Sequence, residues 1–327
     1  MRIAVTGSIA TDHLMTFNGC FRDQLLTDRL DHVSLSFLAD RLDVRRGGVA
    51  ANISFGLGQL GIGPVLVGAV GADFEPYRLW LKRHGVDTDS VRVSEQLHTA
   101  RFVCTTDRMQ NQIATFYAGA MVEARQIDLG AVVERVGRLG LVMVSPDDPD
   151  AMVRHTRACR TLGVPFAADP SQQLATLGRA QARDLVDGAR WLFTNAYESG
   201  LLLERTGWAE EEVLRRVGCW VVTQGADGVR LLAADRPPRT VPAVDVVGVV
   251  DPTGVGDAFR AGFLAGLAWG VPEKCAAQLG CVLAATALDY VGTQEYRLYR
   301  EPLVAQIRRT YGVGCIAHLV THLRGLR

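Results

Sequence analysis

DPTGVGDAF, residues 251–259, is a glycine-rich turn that lies between two regular sequence patterns. The apolar run before it (Val246, Val247, Val249 and Val250) predicts a strand, and a helical pattern follows from Ala258 to about Trp269. The first backbone N–H groups of a helix have no partner inside the helix and lie at the positive end of its dipole. A turn of this kind therefore favours a bound anion, and phosphate is the usual one.

Asp257 ends this turn, in what we expect to be the first turn of the helix. Its negative charge would repel a bound phosphate, unless the carboxylate accepts the proton of a hydroxyl group that attacks the phosphorus. The backbone N–H groups of Gly254, Val255 and Gly256 would then hold the transferring phosphoryl group. The turn therefore suggests phosphoryl transfer with Asp257 as general base. The alternative is an aspartate that only stabilises the start of the helix.

Four motifs together resemble the signatures of the PfkB (ribokinase-like) family of sugar and nucleoside kinases. Residues 251–259 are similar to its second signature, and GGVAAN, residues 47–52, is similar to its first. NAYE, residues 195–198, resembles the N-x-x-E motif that orients magnesium and phosphate, and TQG, residues 223–225, resembles the T-x-G turn along the nucleotide phosphates. The motifs stand in the family's order. Within the family, the chain most resembles the bacterial, mycobacterial-type adenosine kinases.

The pattern along the chain predicts an α/β fold. After Ile127, strand and helix patterns alternate, which indicates a parallel sheet with right-handed crossovers. Residues 17–46, including a predicted strand at Val33–Leu38, and residues 91–117 suggest strands with one exposed face. The resemblance implies a ribokinase-like fold, with a mostly parallel sheet flanked by helices on both faces and a small β lid. We expect residues 1–16, 47–90 and 118–327 in the large domain, and 17–46 and 91–117 in the lid.

The resemblance also implies which residues bind the acceptor substrate: Ser8, Asp12, Gly48, Asn52, Phe102, Phe116, Gln172 and Gln173. Asp12 follows the first strand, where a carboxylate can accept two hydrogen bonds from a ribose diol. Aromatic faces on opposite sides of a purine would stack on it. Each residue also has a purely structural interpretation, such as packing of a small sheet or bonding of local backbone. Thr176 stands where the most similar relatives suggest a longer basic residue.

Other positions match the family's nucleotide and cation sites. Asn195, Thr223, Gly225, Gly254 and Gly256 are the expected contacts of ATP. Glu198 would hold Mg²⁺ through water, because this ion gives up its waters reluctantly. Asn195 and Glu198 also form a helix-capping pattern. The resemblance further implies K⁺ near the second signature, with Asp251 as a contributor. Arg260 lies one turn beyond Asp257, where it could reach a phosphate, although we expect it to face solvent.

Composition limits the class of protein. Lys plus Arg and Asp plus Glu number 35 each, so the chain lacks the positive field that nucleic acid or an anionic membrane requires. The seven cysteines form no C-x-x-C pair, which suggests reduced thiols and a cytoplasmic location. We find no signal-peptide pattern and no apolar run long enough to span a bilayer.

The sequence therefore predicts an ATP- and Mg²⁺-dependent kinase that phosphorylates the 5′-hydroxyl group of adenosine to give AMP. The alternatives are a kinase of ribose, fructose or another nucleoside, and, in a different class, a nucleoside-binding protein without catalysis. The family resemblance also suggests a homodimer that pairs its lids, since exposed strand edges favour such pairing.

Overall fold

The computed structural model describes residues 1–24 and 36–326. Its strands are β1 (Ile3–Thr6), β2 (Ala10–Phe17), β3 (Arg41–Gly47), β4 (Val65–Val67), β5 (Ala69–Val70), β6 (Arg92–Val93), β7 (Ala100–Asp107), β8 (Gln112–Tyr117), β9 (Leu141–Val144), β10 (Phe166–Ala168), β11 (Trp191–Asn195), β12 (Cys219–Thr223), β13 (Val229–Ala233) and β14 (Arg236–Val241). Its α-helices are α1 (Phe21–Gln24), α2 (Val49–Gln59), α3 (Glu75–Arg83), α4 (Leu129–Val136), α5 (Pro149–Leu162), α6 (Arg179–Val186), α7 (Ala196–Thr206), α8 (Glu210–Arg216), α9 (Val255–Trp269), α10 (Glu273–Ala287), α11 (Arg300–Tyr311) and α12 (Ile316–Leu319).

A large sheet forms the centre of the described molecule, in the order β14-β13-β12-β11-β10-β9-β1-β4. The strands from β12 to β4 are parallel, and β13 and β14 are antiparallel. Successive side chains point to opposite faces of a strand, so Ile3 and Val5 enter one apolar core while Ala4 enters the other. Helices α2, α3 and α9 to α12 cover the first face, and α4 to α8 cover the second. The predicted α/β class is therefore confirmed.

A separate small sheet has the order β3-β2-β7-β8. Strand β2 pairs antiparallel with β3 and parallel with β7, and it begins only four residues after β1 ends. Residues 10–16 therefore extend from the large sheet into the small one, although the sequence suggested a loop around Asp12. Strand β6 pairs with β5 rather than with the small sheet. The small sheet thus adjoins the carboxyl end of β1, where parallel sheets place their ligands.

Three strand expectations failed or were incomplete. Residues 33–35 of the strand predicted at Val33–Leu38 lie outside the described residues, and Ser36, Phe37 and Leu38 are not in a strand. Residues 246–250 form an exposed irregular segment, since β14 ends at Val241 and Pro242 follows it. Their valines resemble a strand in sequence, but an apolar run does not reveal whether a partner strand is available. Strand β14 was missed because its two prolines weaken the pattern, yet prolines suit an edge strand.

The expectation of seven reduced cysteines was wrong, because Cys275 and Cys315 form a disulfide. The first lies at the start of α10, and folding brings the carboxyl-terminal segment against it from 40 residues away. No short sequence motif marks such a pair. The other five cysteines are free and buried. In the part of the chain that the structure describes, none of the helices has both the length and the apolar character needed to cross a bilayer.

Candidate active site

The glycine turn opens helix α9 as the sequence predicted. Gly254 is the residue before the helix and has a φ of 74°, a left-handed conformation that favours glycine. A Cβ atom there would also lie 2.7 Å from Cγ2 of Thr293, which leaves no room for a side chain. Asp257 lies in the first turn of the helix. The N–H of Val255 makes a long hydrogen bond to the carbonyl oxygen of Pro252, at 3.4 Å. The N–H groups of this turn and the carboxylate of Asp257 are therefore held on one short piece of backbone.

Asp257 is bound by Asn52, whose Nδ2 donates to Oδ2 of the carboxylate at 2.8 Å. Burial raises the pKa of Asp257 to about 6, while the charge of Arg260 and the hydrogen bond from Asn52 oppose the rise. A carboxyl group with this pKa is mostly ionised at pH 7, yet it is a stronger base than an exposed aspartate. The environment of Asp257 therefore suits a general base that works near neutrality.

Asn52 is oriented by two residues that the sequence analysis missed. Its Oδ1 accepts hydrogen bonds from Oγ1 of Thr293 at 2.8 Å and from Nε2 of Gln294 at 2.9 Å. The single hydroxyl proton of Thr293 has a second acceptor, the carbonyl oxygen of Arg46 at 2.9 Å, but Nε2 of Gln294 can only donate. The oxygen of Asn52 therefore faces Gln294 and the amide nitrogen faces Asp257. Asn52 was expected to bind a sugar hydroxyl group. Here it contacts the proposed base directly, and one N–H of its amide is still available. Thr293 and Gln294 lie more than 240 residues away and belong to no recognised motif.

A cavity of about 770 Å³ lies over the start of α9. Its lining includes every residue that the sequence assigned to the nucleotide and to the anion turn: Asn195, Glu198, Thr223, Gly225, Gly254, Val255, Gly256 and Asp257. Parallel strands β11 and β12 bring the motifs at residues 195–198 and 223–225 to the same edge of the sheet, beside α9. Three of the four motifs therefore meet around one cavity of the size that small-molecule ligands occupy.

Asn195 and Glu198 cap helix α7 reciprocally. Oδ1 of Asn195 accepts from the backbone N–H of Glu198, and Oε2 of Glu198 accepts from that of Asn195, both at 2.8 Å. Oε1 of Glu198 lies 3.3 Å from Oγ of Ser171. Ser171 also lines the cavity and has a φ of 42°, which is unusual for a residue other than glycine. A single carboxylate oxygen of this kind can hold a hydrated divalent cation through water.

Asp251 fastens the start of the glycine turn. Oδ1 accepts from the N–H of Thr253 and Oδ2 accepts from the N–H of Gly292, each at 2.9 Å. Although burial raises the pKa of Asp251, these hydrogen bonds lower it more, so the net shift is downward. The ionised carboxylate therefore ties the turn to the loop after α10. Each oxygen retains a lone pair that can face a monovalent cation.

On the small sheet, Arg45, Asp12, Phe102 and Phe116 form one row across four strands. Asp12 is paired with Arg45 and with Phe102, which is paired with Phe116, so all four side chains share one face. The sequence suggested aromatic rings on opposite sides of a purine. In the structure, the two rings are instead cross-strand neighbours on one face of the sheet. Burial raises the pKa of Asp12 to about 6, which Arg45 opposes and Asp251 reinforces. The row presents a carboxyl group beside a wall of two aromatic rings.

Ser8 lies between β1 and β2, and Gly48 lies between β3 and helix α2. Oγ of Ser8 accepts from the N–H of Val49 at 3.0 Å, so this hydroxyl group caps α2 while its own proton can be donated elsewhere. Gln173 is engaged internally: Nε2 donates to the carbonyl oxygen of Asp147, and Oε1 accepts from Thr176. Gln172 is exposed. Of the two glutamines, only Gln172 has a side-chain amide that forms no hydrogen bond with the described residues.

Arg260 does not face solvent, contrary to expectation. It is buried, and its Nε and Nη2 lie 2.6 Å and 2.7 Å from the two carboxylate oxygens of Asp169. Asp169 is the first residue after strand β10. The position of Arg260 one turn beyond Asp257 was a usable signal. The sequence gives no signal that Asp169 is its partner, because the two residues are 91 positions apart.

Comparisons with known proteins identify the family to which the chain belongs. Residues 12–298 match the family described as pfkB family carbohydrate kinase. The chain is 30% identical over 273 residues to a nucleoside kinase from Methanothermobacter thermautotrophicus, a match that covers 82% of this chain and 86% of that protein. A structure of Burkholderia thailandensis nucleoside kinase in complex with inosine has a TM-score of 0.82 at 34% identity, covering 95% of this chain and 98% of that one. The same kinase in complex with ADP-inosine has a TM-score of 0.80 at 34% identity, covering 95% and 96%.

Proposed function

The chain belongs to the pfkB family of carbohydrate kinases, and we propose that it is an ATP-dependent nucleoside kinase that converts adenosine to AMP. One observation carries the proposal: Asp257 lies between the proposed phosphate site and the proposed nucleoside site. On one side it lines the cavity of the glycine turn, and on the other it is bound to Asn52, on the helix that follows β3. A hydroxyl group on a ligand of the small sheet can therefore meet a phosphate held at α9.

The proposed reaction is an in-line transfer. Asp257 removes the proton from the 5′-hydroxyl group, whose oxygen forms a bond to the γ-phosphorus of ATP. The bond from that phosphorus to the β–γ bridging oxygen breaks, and ADP leaves. The N–H groups of Gly254, Val255 and Gly256 hold the transferring group, so positioning and charge neutralisation supply most of the catalysis. Closure of the small sheet over the sugar would keep water from the phosphorus.

Two cations fit the residues that are present. Glu198 would hold Mg²⁺ through water, and this ion would neutralise charge on the β- and γ-phosphates. The carboxylate of Asp251 would contribute to a K⁺ site next to the turn, since its backbone hydrogen bonds leave lone pairs free. Thr223 and Gly225 would lie along the phosphates, and the exposed amide of Gln172 is the better placed of the two glutamines to contact a base.

The choice of adenosine is tested by a substrate panel. Purified protein with ATP and Mg²⁺ would receive adenosine, inosine, guanosine, ribose and fructose in turn. Turnover of adenosine well above the other compounds supports the proposal. Preference for inosine, which the Burkholderia kinase binds, would keep the nucleoside site and change the base. Turnover of a sugar alone would favour a sugar kinase, and binding of nucleosides without any turnover would favour a silent binding protein.

Replacement of Phe102 by alanine should weaken adenosine specifically. Stacking of a base on an aromatic ring contributes roughly 1–3 kcal/mol, so we expect KM for adenosine to rise about 5- to 150-fold while KM for ATP is unchanged. Val103→Ala is the matched control, because Val103 is the next residue of β7 and faces the other side of the sheet. Steady-state kinetics in both substrates would check this. Equal effects of the two changes would remove Phe102 from the nucleoside site.

The outer face of the small sheet supports the proposed homodimer. Leu42 and Val44 on β3, and Ile113 and Tyr117 on β8, are exposed and lie on the face opposite Phe102. Light scattering should give twice the chain mass of 35.5 kDa at micromolar concentration. Val44→Lys should shift the protein toward monomer, since a charge on this face would have to be buried. A wild-type monomer under these conditions would reject the dimer.

A further inference from the structure

Arg260 has donors that its ion pair does not use. A guanidinium group carries five N–H donors. Nη2 donates to Oδ1 of Asp169 at 2.7 Å, and Nε lies 2.6 Å from Oδ2 without forming a hydrogen bond. Among the described residues, no acceptor forms a hydrogen bond with Nη1. The same nitrogen lies against the glycine turn, because a Cβ atom added to Gly256 would come within 2.9 Å of it. Arg260 also lines the cavity that contains the turn.

The ion pair fixes where these free donors point. Asp169 is fully buried and the side chain of Arg260 is 9% exposed, so neither group can turn toward solvent. Two contacts between the guanidinium plane and the carboxylate leave that plane little rotational freedom. Nη1 is consequently held beside Gly256, on the side where the turn would bind an anion. A charged donor in a site with little water interacts more strongly than the same donor at the surface.

From these contacts we propose that Arg260 is a catalytic residue: its Nη1 donates to the γ-phosphoryl group of ATP, and Asp169 is the positioning residue that aims it. The inference rests on the proposed function and adds a side-chain donor to the backbone donors of Gly254, Val255 and Gly256. Charge on the phosphoryl oxygens is shared among these donors during transfer. A side chain at Gly256 would crowd Nη1, because its Cβ atom would lie 2.9 Å away.

The decisive variant removes both partners, Arg260→Met together with Asp169→Leu. Removal of one partner would leave an unpaired buried charge and risk unfolding, whereas apolar replacement of a whole buried pair is often neutral for stability. We expect this variant to fold, with kcat reduced roughly 10²- to 10³-fold, as for loss of a donor to a developing oxyanion. KM for the nucleoside should change less than about threefold. A folded double variant with kcat close to that of wild type would overturn the proposal.

A binding measurement separates this inference from the identity of the reaction. Calorimetric titration with ATP and with ADP needs no turnover, and only ATP has the γ-phosphoryl group. The double variant should bind ATP roughly tenfold or more weakly than wild type, while ADP affinity stays within about twofold. Arg236→Met with Glu273→Leu removes another partly buried ion pair as a control and should leave both affinities unchanged. Equal weakening of ATP and ADP would refute the γ-phosphoryl contact even if the kinase assay succeeds, and ATP-selective weakening would support it even if the panel finds no nucleoside turnover.

Discussion

Asp257→Asn should abolish nearly all phosphoryl transfer while leaving the fold intact. The amide has the size of the carboxyl group and its oxygen can still accept the hydrogen bond from Asn52, but it cannot take a proton from the substrate. General base catalysis contributes roughly 10²- to 10⁴-fold, so we expect kcat to fall by about that factor. Rates would be measured with the best nucleoside at saturating ATP. Asp235→Asn, an exposed aspartate in the β13–β14 turn, is the control and should keep the wild-type rate.

The pH profile gives the same assignment an independent test. Because burial raises the pKa of Asp257 to about 6, the base is protonated and inactive below that pH. Wild-type kcat/KM should therefore rise with pH through about 6 and then level off. Because the pKa of Asp12 is also about 6, the rise is assigned to Asp257 by a variant that changes the surroundings of Asp257 alone. Asn52→Leu removes a hydrogen bond that lowers the pKa of Asp257, so this rise should move to higher pH. A profile with its midpoint near 4 would show that the ionisation of Asp257 does not limit the rate.

Gly48→Ala should be among the most destabilising single substitutions in the chain. Gly48 has φ 94° and ψ 129°, a conformation that residues with a side chain rarely adopt. A Cβ atom would lie 2.6 Å from both the backbone nitrogen of Ala10 and the carbonyl oxygen of Ser8. Since these are backbone atoms, the connection between β1 and β2 must shift. We expect a loss of at least about 3 kcal/mol in the free energy of unfolding, measured by urea denaturation.

Gly61 provides a matched control at the other end of the same helix. It has φ 76°, and a Cβ atom there would meet nothing within 4 Å. Gly61→Ala thus carries only backbone strain, about 1–2 kcal/mol. The difference between the two variants therefore reports the steric contact at Gly48 together with the greater strain of its backbone conformation. The fraction of the Gly48→Ala protein that folds should also bind nucleoside poorly, because Ser8 and Asp12 flank the displaced segment. Similar stabilities of the two variants would contradict this account of Gly48.

Local patterns in the sequence were enough for the fold class and the family. The alternation of strands and helices predicted the layered sheet, because side-chain periodicity reflects which faces of an element are buried. The glycine turn predicted the start of α9 and placed Asp257 in its first turn, since Gly254 and the helix are adjacent in the chain. The roles assigned to Asp257, Asn52 and the lid aromatics stay predictions until the variants above are measured.

The tertiary structure decided what depends on partners distant in the chain. Valines 246–250 resemble a strand but have no neighbouring strand, and Arg260 resembles a surface residue but lies beside Asp169. The orientation of Asn52 comes from Thr293 and Gln294, more than 240 residues away. Helical and strand periodicity records burial within one element, whereas hydrogen bonds and ion pairs form only after elements pack together. The sequence by itself therefore determined the framework and the proposed base. Only packing decided which groups surround that base and hence its pKa.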